Sequence, residues 1–188
     1  MDIYKMFGTN QSLILAILSE NPQREYYLHE LGRLVGKKPG VFQIGINSLE
    51  KQGWVVSRKQ GTMRLFKINE QHPLYKEIKS VVRKTVGVEA ELKTMVNSID
   101  GIEKALIYGS YAKDSMRPDS DVDVLVVARD SKVEDKLVTE LSRIEKMLGR
   151  EINYKLYDEK NFRRRRKDKD PFLTEVLSDK YVLLKGVV

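Results

Sequence analysis

Hydrophobic residues in the first third of the chain follow two spacings in turn. They recur every three or four positions up to Gly53, which predicts helices, and then form two short continuous runs, which predict strands. Ser12 is expected to cap the first helix, and Pro39 suits the first position of the third. The predicted order is helix, helix, helix and hairpin, at Leu13–Leu18, Leu28–Val35, Pro39–Gln52, Trp54–Arg58 and Met63–Ile68.

The rest of the chain alternates strand-like and helix-like segments. A polar break at 69–73 is interpreted as a domain boundary, and Leu74–Ile99 has apolar residues at helical spacing, with Gly87 expected to split or bend the helix. We expect two domains of the α+β class, residues 1–70 and 101–188, joined by a linker helix over 71–100. Strands are predicted at 105–108, 121–128, 151–157 and 181–184, with a helix over 132–148.

Composition narrows the environment of the protein. The 188 residues include no cysteine, so disulfides and thiolate metal sites are excluded. No apolar run approaches the roughly 18 residues of a membrane span, and the first ten residues do not resemble a secretory signal. These features predict a soluble, cytoplasmic protein with no membrane partner.

Basic residues form two clusters in a chain whose formal net charge is +7. Between Lys37 and Lys67 there are seven basic residues against one acid, Glu50, and this cluster coincides with the predicted third helix and hairpin. The second cluster has six basic residues between Arg163 and Lys169, and we interpret it as a solvated helix face. The first cluster favours a polyanionic partner.

Three helices followed by a hairpin are the order of a winged helix-turn-helix domain, in which one helix enters the major groove of double-stranded DNA. Because Phe42, Ile46 and Leu49 are predicted to face inward, Gln43 and Asn47 face outward, where their amides suit pairing with adenine. The hairpin tip would form the wing. The basic side chains expected at DNA phosphates are Lys37, Lys38, Arg58, Lys59 and Arg64.

This region resembles winged-helix transcription regulators of the ArsR type. Residues 36–42, Gly-Lys-Lys-Pro-Gly-Val-Phe, are similar to the opening of their recognition helix, and residues 49–55, Leu-Glu-Lys-Gln-Gly-Trp-Val, to its exit into the wing. The resemblance implies a DNA-binding homodimer with the helix over 74–99 as a dimer face. Packing between the two domains is the alternative for that helix, and a protein-interaction or dimerisation module is the alternative for the domain.

A second motif has a sharper chemical meaning. Gly109-Ser110 follows a predicted strand, ten residues intervene, and Asp121 and Asp123 open the next strand. Because a strand alternates its faces, the two carboxylates project together, and their repulsion favours a divalent cation such as Mg2+ or Mn2+ between them. Gly109 allows a phosphate to approach, Ser110 adds a hydroxyl donor at a helix N-terminus, and Lys113 supplies further charge.

This motif resembles that of the minimal nucleotidyltransferases of the DNA polymerase β superfamily. The resemblance implies a mixed sheet with helices, catalytic and metal-binding roles for Asp121 and Asp123, and transfer of a nucleotidyl group from a nucleoside triphosphate. The whole chain resembles a bacterial and archaeal group that fuses a winged helix to this domain. The stretches that carry this resemblance are His72–Tyr75, Gly109–Ala112, Arg117–Asp123, Gly149–Asn153 and Asp170–Leu173.

One position departs from the family pattern. Active members carry a third carboxylate on the next strand, and by order and register that position falls at Asn153. Asparagine offers a carbonyl oxygen but is not a general base. Glu151 and Lys155 share its strand face, so either Glu151 substitutes for the carboxylate or Lys155 contacts phosphate. The sequence therefore supports nucleotide binding better than turnover.

Two functions follow as expectations. The first is a DNA-binding transcriptional regulator whose C-terminal domain binds a nucleoside triphosphate with Mg2+. The alternative is an active, antitoxin-like nucleotidyltransferase that transfers AMP or another nucleotide to a protein or small-molecule acceptor, with an autoregulatory winged helix and a toxin as partner. A third possibility, an interaction module with two decayed motifs, is disfavoured by the intact Gly109-Ser110 and Asp121/Asp123.

Overall fold

The computed structural model of the protein describes residues 3–34, 37–116 and 120–187. No helix within these ranges is long and apolar enough to cross a lipid bilayer. In chain order the elements are α1 Ile3–Phe7, α2 Thr9–Glu20, β1 Tyr26–Tyr27, α3 Leu28–Leu34, α4 Pro39–Lys51, β2 Val55–Gln60, β3 Met63–Ile68, α5 Tyr75–Thr85, α6 Val88–Ser98, β4 Ile102–Tyr108, α7 Gly109–Ala112, β5 Val122–Ala128, α8 Glu134–Leu148, β6 Ile152–Asp158, α9 Glu159–Lys167, α10 Pro171–Ser178 and β7 Val182–Lys185.

The chain divides into two compact units. The first comprises Met1–Glu91 with Lys146–Gly149, and the second comprises Leu92–Glu145 with Arg150–Val188. The polar segment at 69–73, which the sequence suggests as a boundary, lies inside the first unit, because α5 continues the packing of that unit.

The first unit packs α2, α3, α4 and α5 with an antiparallel sheet of strand order β1-β3-β2. Phe42, Ile46 and Leu49 on α4 are fully buried, which confirms the predicted inward face of this helix. Ile78 and Val82 of α5 belong to the same core. The predicted hairpin is present, with β2 and β3 paired in register from Val55↔Ile68 to Gln60↔Met63.

Two helix starts test the capping predictions. Lys38 is extended and Pro39 is the first residue of α4, as predicted. The predicted cap at Ser12 is wrong, because the chain turns at Gly8, with φ of 79°, and α2 begins at Thr9. The Ser12 hydroxyl instead donates to the Gly8 carbonyl within the first turn (2.9 Å). The predicted end of the second helix, at Val35 and Gly36, lies outside the described residues.

Gly87 splits the helical segment into α5 and α6, as the sequence suggests. The amides of Val86 and Gly87 both donate to the Val82 carbonyl, at 2.9 and 2.8 Å, which ends α5. A Cβ on Gly87 would lie 2.9 Å from the Arg83 Cα, so the crowded turn requires glycine. The apolar residues Ile78, Val82, Val86, Leu92, Met95 and Val96 are all buried within the chain.

The second unit is built on a mixed four-stranded sheet of order β6-β5-β4-β7. β5 and β6 are parallel, whereas β4 is antiparallel to both of its neighbours. The cluster Leu106, Leu125, Val127, Phe162, Leu173 and Val176 packs α9 and α10 against one face. On the other face Val122, Val124 and Val126 are fully buried. This is the predicted α+β architecture. Along β5 the residues from Val124 to Ala128 are buried, whereas Asp123 near its start is half-buried.

Candidate active site

The Gly109-Ser110 turn stands where β4 ends and the short helix α7 begins. Gly109 has a φ of 72°, a left-handed conformation that favours glycine. A Cβ at this position would lie only 2.6 Å from Asp123 Oδ2. Glycine is therefore required for both its backbone angle and its missing side chain, and it brings the turn directly against a carboxylate.

Asp121 and Asp123 stand at the start of β5, on the side of the sheet that faces this turn. The antiparallel pairing of β4 and β5 sets Asp123 opposite Tyr108, and Val122 between the two aspartates is fully buried. Burial, followed by the negative charge of Asp121, raises the pKa of Asp123 above its ordinary value. The two carboxylates therefore share one environment and repel each other, as the strand alternation predicts.

Asn153 occupies the adjacent position on β6. The parallel register pairs it with Asp123, and its side-chain amide donates to Asp121 Oδ2 (2.9 Å). Among the described residues, no group of three or more His, Asp or Glu side chains is arranged to hold a metal ion. The site thus offers two carboxylates and one amide, and the exposed Glu151 lies before the strand begins.

Two aromatic rings and one cation complete this end of the sheet. Lys155 Nζ lies 3.6 Å from the centre of the Phe172 ring, and its charge acts to lower the pKa of Asp123. Phe172 meets Tyr108 edge to face, with ring centres 5.6 Å apart. Burial and the nearby Asp123 charge raise the pKa of Tyr108 to about 12, so its phenol is neutral. Sequence reasoning missed both rings, because each is a single residue in an ordinary apolar pattern.

A cleft of about 140 Å³ adjoins the turn and is lined in part by Tyr108, Gly109, Phe172 and Lys113. Lys113, a predicted phosphate ligand, forms an ion pair with Asp179 (2.5 Å). Its pKa is raised by that hydrogen bond and charge. Both side chains remain substantially exposed, so the ammonium group lies at the mouth of the cleft but already has a partner.

The predicted DNA-contacting residues all lie in the first unit. Asn47 is exposed on α4 and accepts a hydrogen bond from the Gln43 side chain (3.2 Å). Lys38 is exposed just before this helix, and Lys37 Nζ lies 3.5 Å from the Asn10 side chain. The start and outward face of α4 therefore present the predicted amides and lysines together.

The hairpin cations differ in how they are held. Arg58 forms a double hydrogen bond with Glu25, at 2.8 and 2.5 Å, which lowers the pKa of that carboxyl. Arg64 donates to both oxygens of Glu50, at 2.8 and 2.6 Å. Lys59, near the tip, is exposed. Of the three predicted hairpin contacts, two are thus already paired with carboxylates of the same unit.

Comparison with known proteins finds one family that matches most of the second unit. Residues 89–181 match the family model of the nucleotidyltransferase domain. The matched range contains the glycine turn, the aspartate pair and Asn153. No curated protein matches the chain at the significance required.

Three solved structures align with 53% of the chain. A toxin-antitoxin with AMP-PNP is 16% identical over 74% of its chain, with a TM-score of 0.39, and a mutant of the toxin-antitoxin MntA-HpeT is 15% identical over 73%, with a TM-score of 0.39. A nucleotidyltransferase candidate from Sulfolobus solfataricus is 22% identical over 81% of its chain, with a TM-score of 0.28. At these scores the structural likeness carries no argument, and the family-model match stands by itself.

Proposed function

We propose that the second unit binds a nucleoside triphosphate with a divalent cation and transfers its nucleotidyl group to a protein or small-molecule acceptor, including a toxin partner. The observation that carries the proposal is the contact of Gly109 with Asp123. It places a backbone turn, which suits phosphate oxygens, directly beside the carboxylate pair of Asp121 and Asp123. Ser110 adds its hydroxyl to the phosphates, and the adjoining cleft has room beside them for part of the nucleoside.

The donor set fits Mg2+ or Mn2+. Magnesium binds through one or two carboxylates together with substrate phosphates and water, which is what Asp121 and Asp123 leave open. Burial and then the charge of Asp121 raise the pKa of Asp123, and a cation between the pair would offset the repulsion. When bound, such a cation neutralises charge that develops on the phosphate oxygens. Asn153 holds Asp121 by a hydrogen bond and so fixes the direction of that ligand.

Asn153 also limits the chemistry. An amide cannot remove the proton of an acceptor hydroxyl, so deprotonation is left to another group or to the acceptor itself. Lys155, beside Asp123 and over Phe172, is placed to contact a phosphate group rather than to act as a metal ligand. We expect transfer to be slow compared with nucleotide binding.

The test is nucleotide binding followed by transfer. Calorimetry with a panel of nucleoside triphosphates and Mg2+ or Mn2+ should show binding by the wild type. The double variant Asp121→Asn, Asp123→Asn should lose it, while the control Asp100→Asn, Asp135→Asn, which changes two exposed carboxylates elsewhere in the unit, should retain it. Incubation with labelled nucleotide and cell extract then measures transfer. Equal labelling of acceptors by the wild type and the site variant would refute the proposed transfer activity.

The structure of the first unit favours a second function. In this proposal the protein is a transcriptional regulator, and the unit is a winged helix that binds double-stranded DNA. Its helix-strand-helix-helix-hairpin order, with β1 added to the hairpin through β3, supports this interpretation. The face of α4 turned away from the core exposes Val41, Ile44 and Asn47, which suits contact with base edges. Because Arg58 and Arg64 are paired, we assign the main phosphate contacts to three other cations, Lys37, Lys38 and Lys59.

Selection from a random duplex library tests this function. The triple variant Lys37→Ala, Lys38→Ala, Lys59→Ala should weaken binding to all sequences, whereas Gln43→Ala with Asn47→Ala should relax sequence preference. Repeating the titration with ATP and Mg2+ shows whether nucleotide occupancy changes DNA affinity. If no duplex is enriched, the interpretation of this unit as a protein-interaction or dimerisation module is favoured instead.

A further inference from the structure

The helix α9 carries a charge that neither proposed function uses. Between Glu159 and Asp170 there are seven basic residues against three acidic ones. Phe162 is the only apolar residue of the helix and is 1% exposed, so it anchors α9 to the sheet. Every residue from Arg163 to Lys169 is exposed.

This exposure has a geometric meaning. Successive residues of a helix are about 100° apart, so the four arginines at 163–166 spread over about 300° of its circumference. All four are exposed, and although the Arg165 guanidinium also lies over the Tyr157 ring, 5.7 Å from its centre, the cations point to several sides of the last turn. The helix dipole favours cations at this end, which offsets part of their mutual repulsion.

Some of these cations are already neutralised and others are not. Arg163 pairs with Glu159 (2.7 Å) and Arg165 with Asp170 (2.9 Å). Arg164 donates to the neutral Asn161 side chain (3.0 Å). Within the part of the chain that the structure describes, Arg166 and the lysines at 167 and 169 have no carboxylate partner. The last turn of α9, with Lys169, therefore offers several cations without a carboxylate partner on different sides of one helix.

We propose that the C-terminal turn of α9, together with Lys169, binds the phosphate backbone of a double-stranded nucleic acid. Guanidinium groups bind phosphate through two parallel hydrogen bonds, and cations on different sides of one helix reach phosphates on both walls of a groove. A membrane surface is disfavoured, because the one apolar residue, Phe162, is buried and leaves nothing to insert. The proposal goes beyond the proposed functions and uses none of their residues.

The test compares two variants of this chain, each with six substitutions. Both carry Lys37→Glu, Lys38→Glu and Lys59→Glu, so that the first unit contributes little to binding. One adds Arg164→Gln, Arg166→Gln and Lys167→Gln. The control adds the same loss of charge at three exposed lysines that no proposal uses, Lys93→Gln, Lys132→Gln and Lys146→Gln. Fluorescence anisotropy follows binding to duplex DNA and duplex RNA of mixed sequence at several salt concentrations.

The α9 variant should lose at least about ten-fold in affinity for one or both duplexes, and its log-log salt slope should be shallower by about 2.7, which is 0.9 for each of three phosphate contacts. The control should keep the affinity and salt slope of the parent protein, which carries only Lys37→Glu, Lys38→Glu and Lys59→Glu. Equal loss in both variants would show bulk charge and overturn the proposal, as would competition by polyglutamate equal to that by duplex at the same charge. Unchanged thermal midpoints verify that both variants are folded.

Discussion

Gly109 is the residue on which the geometry of the candidate site depends. Its φ of 72° and the 2.6 Å distance at which an added Cβ would meet Asp123 are independent constraints. Gly61 is subject only to the backbone constraint, since its φ is 60° and nothing lies within 4 Å of a Cβ added there. Alanine substitutions at the two glycines therefore distinguish the effect of backbone strain from the effect of a side chain that enters the site.

Gly109→Ala should destabilise the second unit by about 1–3 kcal/mol and abolish nucleotide binding, because the added methyl group displaces the Asp123 carboxylate. Gly61→Ala, as the control, should cost about 1 kcal/mol through strain alone and leave nucleotide affinity unchanged. Denaturant unfolding and calorimetry measure the two effects. Normal nucleotide affinity in Gly109→Ala would contradict the placement of phosphates at this turn.

Substitutions at Asn153 test whether the lack of a general base at this position limits the rate of nucleotidyl transfer. Asn153→Asp restores a carboxylate beside Asp121 and Asp123, and general-base catalysis contributes about 10²–10⁴-fold. We therefore expect a rise of at least about 10²-fold in the Mg2+-dependent transfer rate, measured with labelled nucleotide. Asn153→Ala removes the hydrogen bond to Asp121 without adding a base and should show no rise. If Asn153→Asp and Asn153→Ala behave alike, deprotonation does not limit the reaction.

At the scale of an element, α4 has two neighbouring apolar residues with opposite environments. Phe42 is fully buried, whereas Ile44 is 82% exposed. Phe42→Ala should cost about 3–5 kcal/mol in free energy of unfolding, because it leaves a cavity, and Ile44→Ala should change stability by less than about 0.5 kcal/mol. Chemical denaturation of both variants measures the difference. A stability loss in Ile44→Ala comparable to that of Phe42→Ala would mean that this face of α4 is covered.

The hairpin is tied to α4 through Glu50, which accepts hydrogen bonds from Ser57 and Arg64. These bonds lower the pKa of Glu50 below its ordinary 4.5. The ionised group therefore adds stability above the ordinary value, and this contribution is lost as pH falls through the lowered folded pKa. Glu50→Gln should flatten the acid limb of the stability curve by less than about 1 kcal/mol, as expected of a partly exposed pair that solvent screens.

Urea titrations from about pH 2 to about pH 7, a range that spans the ordinary carboxyl pKa values, measure that difference between wild type and variant. Glu25→Gln is the matched variant for comparison. Glu25 pairs with Arg58, which lies on β2, whereas the Arg64 partner of Glu50 lies on β3. In both variants a released arginine should strengthen binding to duplex DNA. Weaker DNA binding would show that these pairs orient the hairpin instead.

At the scale of the whole molecule, ligand binding should stabilise the two units unequally. A ligand that binds only the folded state adds about 2.7 kcal/mol at a concentration of about 100 times its Kd. Nucleoside triphosphate with Mg2+ should therefore raise the thermal midpoint of the second unit, and duplex DNA that of the first. Scanning calorimetry with each ligand separately checks this. The double variant Asp121→Asn, Asp123→Asn, which should not bind nucleotide, is the control. A midpoint shift by nucleotide in that variant would place the ligand elsewhere.

Local patterns predicted the elements well because those patterns reflect burial directly. The inward face of α4, the hairpin, the break at Gly87 and the strands around the aspartate pair all follow from apolar spacing and turn residues. The cap at Ser12 failed because Gly8 lets α2 begin earlier than the apolar pattern indicates. A capping preference is a weak local effect, and a chain reversal one turn upstream overrides it.

The sequence by itself determined the chemistry of this protein, namely a glycine turn, two aspartates on one strand face and an asparagine where a third carboxylate is expected. The first two statements need only residue types, their spacing and strand alternation, whereas the third rests on the resemblance to nucleotidyltransferases. Tertiary structure alone decided the partners: Asn153 with Asp121, Lys155 with Phe172, Lys113 with Asp179, and Arg58 and Arg64 with their carboxylates. Such contacts join residues distant in sequence, so they depend on how strands and helices pack, which no local pattern encodes.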